Sequence, residues 1–226
     1  MTPLLLAASL CLAAPPAFEP TSSYTVQTVE GWRVYVHNQL LNEKKELGDK
    51  AIELLRVKLY DVKRALPKAA CEKLQKVPIW LEAGNPRVVG ACYHPSRRWL
   101  EDHAFNPEKA KSIEIGNPTN FLNWSGHQPM MVLHELAHAY HHQVLGYDQP
   151  DIKAAYKRAV ESKSYDSVLY YNGKKARAYA MNNDQEYFAE LSEAYFGTND
   201  IYPFVRAEIG EHDPEMLKVL KKLWGE

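Results

Sequence analysis

The sequence predicts an α+β fold, on three observations. Strand patterns cluster in the first half, helical patterns dominate the second, and one hairpin signal opens the chain. The 226 residues are 46% hydrophobic and 24% charged, which suits one globular domain. Lys plus Arg (27) nearly balance Asp plus Glu (28), so no basic surplus points to nucleic acid.

The elements follow in order. Residues 4–14 form an apolar run of signal-peptide length, with small residues and Pro15-Pro16 behind it. The run is too short to span a bilayer, and no other stretch approaches that length. Residues 1–17 are therefore expected to be a signal peptide cleaved after Ala13, Ala14 or Ala17, leaving 18–226 as one secreted or extracytoplasmic domain. Loss of Cys11 would leave Cys71 and Cys92, an even pair in an oxidising compartment. A disulfide between them would close a loop of about 20 residues, worth roughly 3 kcal/mol.

Tyr24–Val29 and Trp32–His37 alternate around Glu30-Gly31 and predict a β-hairpin. Leu47, Ile52, Leu55, Leu59, Val62 and Leu66 recur at helical steps, which predicts a helix over 42–66 ended by Pro67. Residues 77–82 and 111–116 are predicted strands, and 87–106 an irregular connection. A helix then carries His134-Glu135-Leu136-Ala137-His138, with Pro129 near its start and Gly146 just past its end. A helix over 152–161 follows. Next come strands 167–171 and 174–179 around Asn172-Gly173, and a helix capped by Asn182 or Asn183 that runs to Phe196. Pro214–Trp224 is predicted as the last helix.

The chemistry lies on the first of these later helices. His134 and His138 are four residues apart, so they share one helical face and can grip a single ion. Glu135 is turned away by about 100°, off the ion yet beside a water there, where a carboxylate can act as base. H-E-x-x-H spacing thus points to a catalytic zinc site. Such a site takes three protein ligands and keeps one position open. His141 and His142 cannot wrap round the same ion from one unbroken helix. The later helix offers Glu186, Glu190 and Glu193 as an acidic stripe. Glu186 is the preferred third ligand and Glu190 the expected hydrogen-bond partner of a ligand histidine, with Glu190 or Asp200 as rival ligands.

Tyr179 together with Asn183-Asp184-Gln185-Glu186-Tyr187-Phe188-Ala189-Glu190 resembles the segment downstream of H-E-x-x-H in the anthrax lethal factor family, which includes the Pro-Pro endopeptidases. The resemblance spans roughly 113–196 and rests on these short motifs. It implies a zincin-like metallopeptidase of the gluzincin type, with the active-site cleft between a strand-rich first half and a helical second half. It implies one Zn²⁺ on His134, His138 and Glu186, Glu135 as catalytic base, and Tyr179 as the hydroxyl that assists catalysis. It further implies that residues 113–116 form a sheet edge on which a peptide or protein substrate pairs. Separately, Gly197-Thr198-Asn199-Asp200 resembles the Gly-Thr-x-Asp run of the aspartate-ligand zincins. Two other functions compete with a peptidase: a secreted zinc-binding protein without catalysis, and a zinc hydrolase acting on another amide such as a cell-wall component. The base beside the ion argues against the first, and a deep pocket in place of an open cleft would favour the second.

Overall fold

Strands β1 (Tyr24–Val29) and β2 (Trp32–His37) pair antiparallel in the expected register. Glu30 and Gly31 both have positive φ, 52° and 97°, the backbone of a turn that matches strand twist. The computed structural model describes residues 18–225, so the expected signal peptide lies outside the described residues.

The helix expected over 42–66 is α2 (Lys45–Ala65), and a short α1 (Asn38–Leu41) precedes it. The two helices approach each other closely. Gly48 on α2 lies so close to the Leu40 carbonyl that no side chain fits between them. Pro67 forces Leu66 into an extended conformation and ends α2, then caps a short α3 (Lys68–Leu74). Strand β3 (Ile79–Leu81) follows.

Residues 87–106 hold structure that the pattern of residues did not announce: strand β4 (Ala91–His94) and helix α4 (Arg97–Asp102), whose first turn is capped by the Ser96 hydroxyl. Ala-Cys-Tyr-His has no two-residue apolar period, because β4 is covered on both faces. Strand β5 (Ser112–Ile115) and helix α5 (Pro118–Trp124) complete the first half. The five strands run β1-β2-β3-β5-β4. The three inner strands are parallel, and β1 and β4 close the two edges antiparallel. Strand β5 is therefore bonded on both sides, by β3 and β4. The sheet edge expected at 113–116 is instead β4.

Helix α6 (Met131–Tyr140) packs on β4 and β5, and passes into a π-helical turn at His141–Leu145 before Gly146, φ 81°. Helix α7 (Pro150–Ser162) and a small hairpin of β6 (Val168–Leu169) with β7 (Lys175–Ala176) lead to a 3-10 turn at Tyr179–Met181. Tyr179 thus stands on a turn, not on the expected strand. Helices α8 (Asp184–Phe196), α9 (Arg206–His212) and α10 (Pro214–Trp224) end the chain.

One face of the sheet (Val34, Val36, Ile79, Ile113) meets Leu55 and Leu59 of α2 and Leu133 and Leu136 of α6 in a continuous apolar core. The opposite face carries Tyr35 stacked on Trp80 at 4.1 Å, and a buried polar chain. There Lys109 Nζ donates to Glu82 at 2.7 Å and lies 3.0 Å from Glu114, while Tyr24 donates to Glu82. This division explains why no disulfide forms. Cys71 on α3 joins the core beneath the helices, whereas Cys92 on β4 packs with Val88 and Phe105 on the other face. Both thiols are free.

Candidate metal centre

Helices α6 and α8 lie against each other. Helix α8 begins where the Asn183 side chain accepts hydrogen bonds from the Gln185 and Glu186 amides, which orients the first turn that bears Glu186. Glu186 faces His134 and His138 across the gap. Its Oε2 lies 3.1 Å from His134 Nε2 and 3.2 Å from His138 Nε2, and the two nitrogens are 3.0 Å apart. Donors held tetrahedrally about 2.0–2.1 Å from one ion stand about 3.3 Å from each other. The triangle has that size.

The proton count leads to the same point. His134 Nδ1 donates to Glu193 Oε1 at 2.7 Å. In a neutral imidazole that leaves Nε2 as an acceptor, facing a carboxylate oxygen and a second imidazole nitrogen. Without an ion these contacts need further protons on the imidazoles: burial works against charge on His134, but Glu186 and Glu193 hold its pKa well above the ordinary value. A metal cation would meet all three atoms at once, so these residues fit one.

The remaining acidic candidates are placed elsewhere. Glu190 sits on the Nδ1 side of His134, at 3.7 Å, and takes a hydrogen bond from Asn199. The hydrogen-bond partner of the ligand histidine is thus Glu193, not Glu190. Glu193 follows Glu186 by seven residues, two helical turns on the same face, and that spacing was the available signal. Burial, then the neighbouring Glu193, raises the Glu190 carboxyl to about 8. Asp200 accepts from Tyr170 and Gln128. His141 is buried against Phe188 and Tyr147, and His142 meets the Tyr93 hydroxyl at 2.8 Å.

No family model, no curated protein and no solved structure matches the chain. The site must be read from its own geometry.

A cleft of about 580 Å³ opens beside His134, which lines it, while His138 and Glu186 lie outside its lining. Gly90, Ala91, His134, Glu135, Tyr170 and Tyr179 are among the residues that line it. Glu135 is nearly buried. Tyr179 is 55% exposed. Burial, then the Glu186 carboxylate, raises the Tyr179 phenol, so it keeps its proton at neutral pH and remains a donor. Burial works against charge on Glu186, but His134 and His138 outweigh it and hold its carboxyl down at about 2.

Among the described residues two further sets could also hold an ion: His134 with Glu190 and Glu193, on the Nδ1 side of the same ring, and Cys92 with His94 and Glu114. Glu114 there already accepts from His94 at 2.7 Å and from Asn85, and pairs with Lys109. Its charge is met within the chain.

Proposed function

We propose that the protein is a zinc-dependent peptidase of the gluzincin type, acting outside the cytoplasm. The observation that carries the reading is the convergence of His134 Nε2, His138 Nε2 and Glu186 Oε2 at 3.0–3.2 Å, beside an open cleft that His134 and Glu135 line. Two imidazoles and one carboxylate are a donor set that suits Zn²⁺, and an open fourth position is what distinguishes a catalytic from a structural site. An extracytoplasmic location rests on the apolar run at 4–14.

Bound at this triangle, Zn²⁺ would supply a Lewis acid and lower the pKa of a water beside it. The chain's own groups then divide the work. Glu135 takes a proton from the attacking water as its oxygen bonds to the peptide carbonyl carbon. Glu135 next delivers that proton to the amide nitrogen as the C–N bond breaks, so water is divided between a new acid and a new amine. Tyr179 lines the same cleft and donates to the carbonyl oxygen while negative charge builds there. Glu193 holds His134 in the tautomer that turns Nε2 to the ion. The cleft runs beside the sheet edge β4, and an extended peptide is the substrate shape that an edge receives.

The decisive comparison is metal content and peptide-library cleavage for wild type, Glu135→Gln and Glu186→Gln. Wild type and Glu135→Gln should each hold one zinc per chain, with cleavage by Glu135→Gln down about 10²–10⁴-fold. Glu186→Gln should lose the metal. Wild-type protein that takes up no zinc, or a Glu135→Gln variant as active as wild type, would overturn the proposal.

A further inference from the structure

The edge strand that borders the metal cleft also borders a second cavity, on the opposite face of the sheet. Gly116 N–H donates to Gly90 C=O at 2.8 Å on the inner side of β4. By the alternation of an antiparallel ladder, Ala91 and Tyr93 then present their backbone groups to the free edge. Side chains alternate as well. Ala91 and Tyr93 pack toward α6 and the main core, while Cys92 packs with Val88, Leu100 and Phe105 on the other face.

On that other face β4, residues 87–90 and α4 enclose about 620 Å³. Carbon and sulfur dominate the walls, with Val89, Cys92, Trp99 and Phe105 prominent. Of the lining side chains only Arg87 and His94 can carry charge, and both are engaged. Arg87 donates to the carbonyls of His103 and Ala104 while lying 3.7 Å over the Phe105 ring, and His94 is bonded to Glu114. Trp99 and Val89 nevertheless stand 47% and 60% exposed. Val89, Gly90 and Ala91 line this cavity and the metal cleft alike, so the start of β4 and the two residues before it form a wall shared by both.

We propose that this cavity is a specificity subsite for one large, uncharged apolar side chain of a substrate peptide paired along β4. The inference rests on the peptidase reading and adds the substrate preference to it. A peptide added to the edge alternates its side chains over the same two faces as β4 itself. The substrate residue opposite Cys92 sends its side chain into the apolar cavity, and its neighbours on either side face the metal. An ammonium in that position would lose hydration beside the Arg87 cation, and a carboxylate would lose hydration before a guanidinium already donating to the His103 and Ala104 carbonyls.

The test pairs cleavage with binding. A peptide library cleaved by the zinc-loaded wild-type protein should show one position, on one side of the scissile bond, where Leu, Met or Phe exceeds Ala and Asp in kcat/KM by about tenfold or more. Trp99→Ala and Val89→Asp should each compress that ratio while retaining one zinc per chain, the sign that they remain folded. In parallel, Trp fluorescence of zinc-loaded Glu135→Gln should report tighter binding of a peptide with Phe at that position than of its Ala counterpart. Cleavage without such a preference, or with one that both variants leave intact, overturns the subsite and spares the peptidase. Absence of cleavage with Phe-selective, Trp99-dependent binding overturns the peptidase and retains the cavity as a peptide-binding site. Neither cleavage nor selective binding overturns both.

Discussion

At the scale of single residues, His134 does two jobs through one ring. Nε2 faces the triangle, and Nδ1 is held by Glu193 at 2.7 Å. Glu193→Ala frees the ring to rotate and lowers the basicity of Nε2. Zinc affinity should fall about 10–100-fold, read by competition with a chelator of known strength. Glu190→Gln should leave that affinity nearly unchanged, since Glu190 stands 3.7 Å from Nδ1 and is held by Asn199. Equal losses in the two variants would refute the assignment. His134, Glu135 and His138 were legible in the sequence because one helix fixes their relation. The choice among Glu186, Glu190 and Asp200 was not, because it depends on how α8 and the segment after it lie against α6. Tyr179 could be named from a motif, but its place on a 3-10 turn follows from how the 170–180 segment folds back, which no local pattern encodes.

Among the elements, those with strong end signals were read well. Asn183 and Gly197 bracket α8, Pro214 opens α10, and Glu30-Gly31 turns the first hairpin. Strand β4 and helix α4 were missed, though β4 turned out to be the sheet edge beside the site. Four residues covered on both faces carry no period to detect, and the strand is defined only by its partner β5. The outer face of the sheet brings its own prediction. Lys109 is buried with Glu82 and Glu114, and it is the cation that faces both carboxylates. Burial works against ionisation of Glu114, yet His94, Lys109 and Asn85 keep its carboxyl down at about 2. Lys109→Met would leave two buried carboxylates without this counter-charge and should destabilise the fold by about 3–5 kcal/mol. The midpoint of denaturant unfolding measures it, and a change within error would show that the network contributes little.

For the whole molecule, pH acts through a histidine outside the metal triangle. His141 is fully buried and neither ring nitrogen has a hydrogen-bond partner. Burial first, then the nearby His138, His142 and Lys153, lower its pKa to about 4. The unfolded chain takes up this proton near pH 6.5. Between those values the unfolded state holds more protons than the folded one, so stability rises with pH. The contribution is whole above about 6.5 and falls away as pH drops toward 4, by about 3 kcal/mol at most. Metal-free His141→Leu should show a flatter dependence over that window than metal-free wild type, in unfolding free energies measured at pH 7, 6 and 5. Parallel curves would exclude His141 as the cause. Gly116, where β5 ends, has a different reach. A β-carbon there would collide with the carbonyl of Val88, and the segment just beyond that carbonyl is the partition shared by the two cavities. A single methyl group at Gly116 would therefore displace that partition and reshape both hollows at once, while lining neither of them.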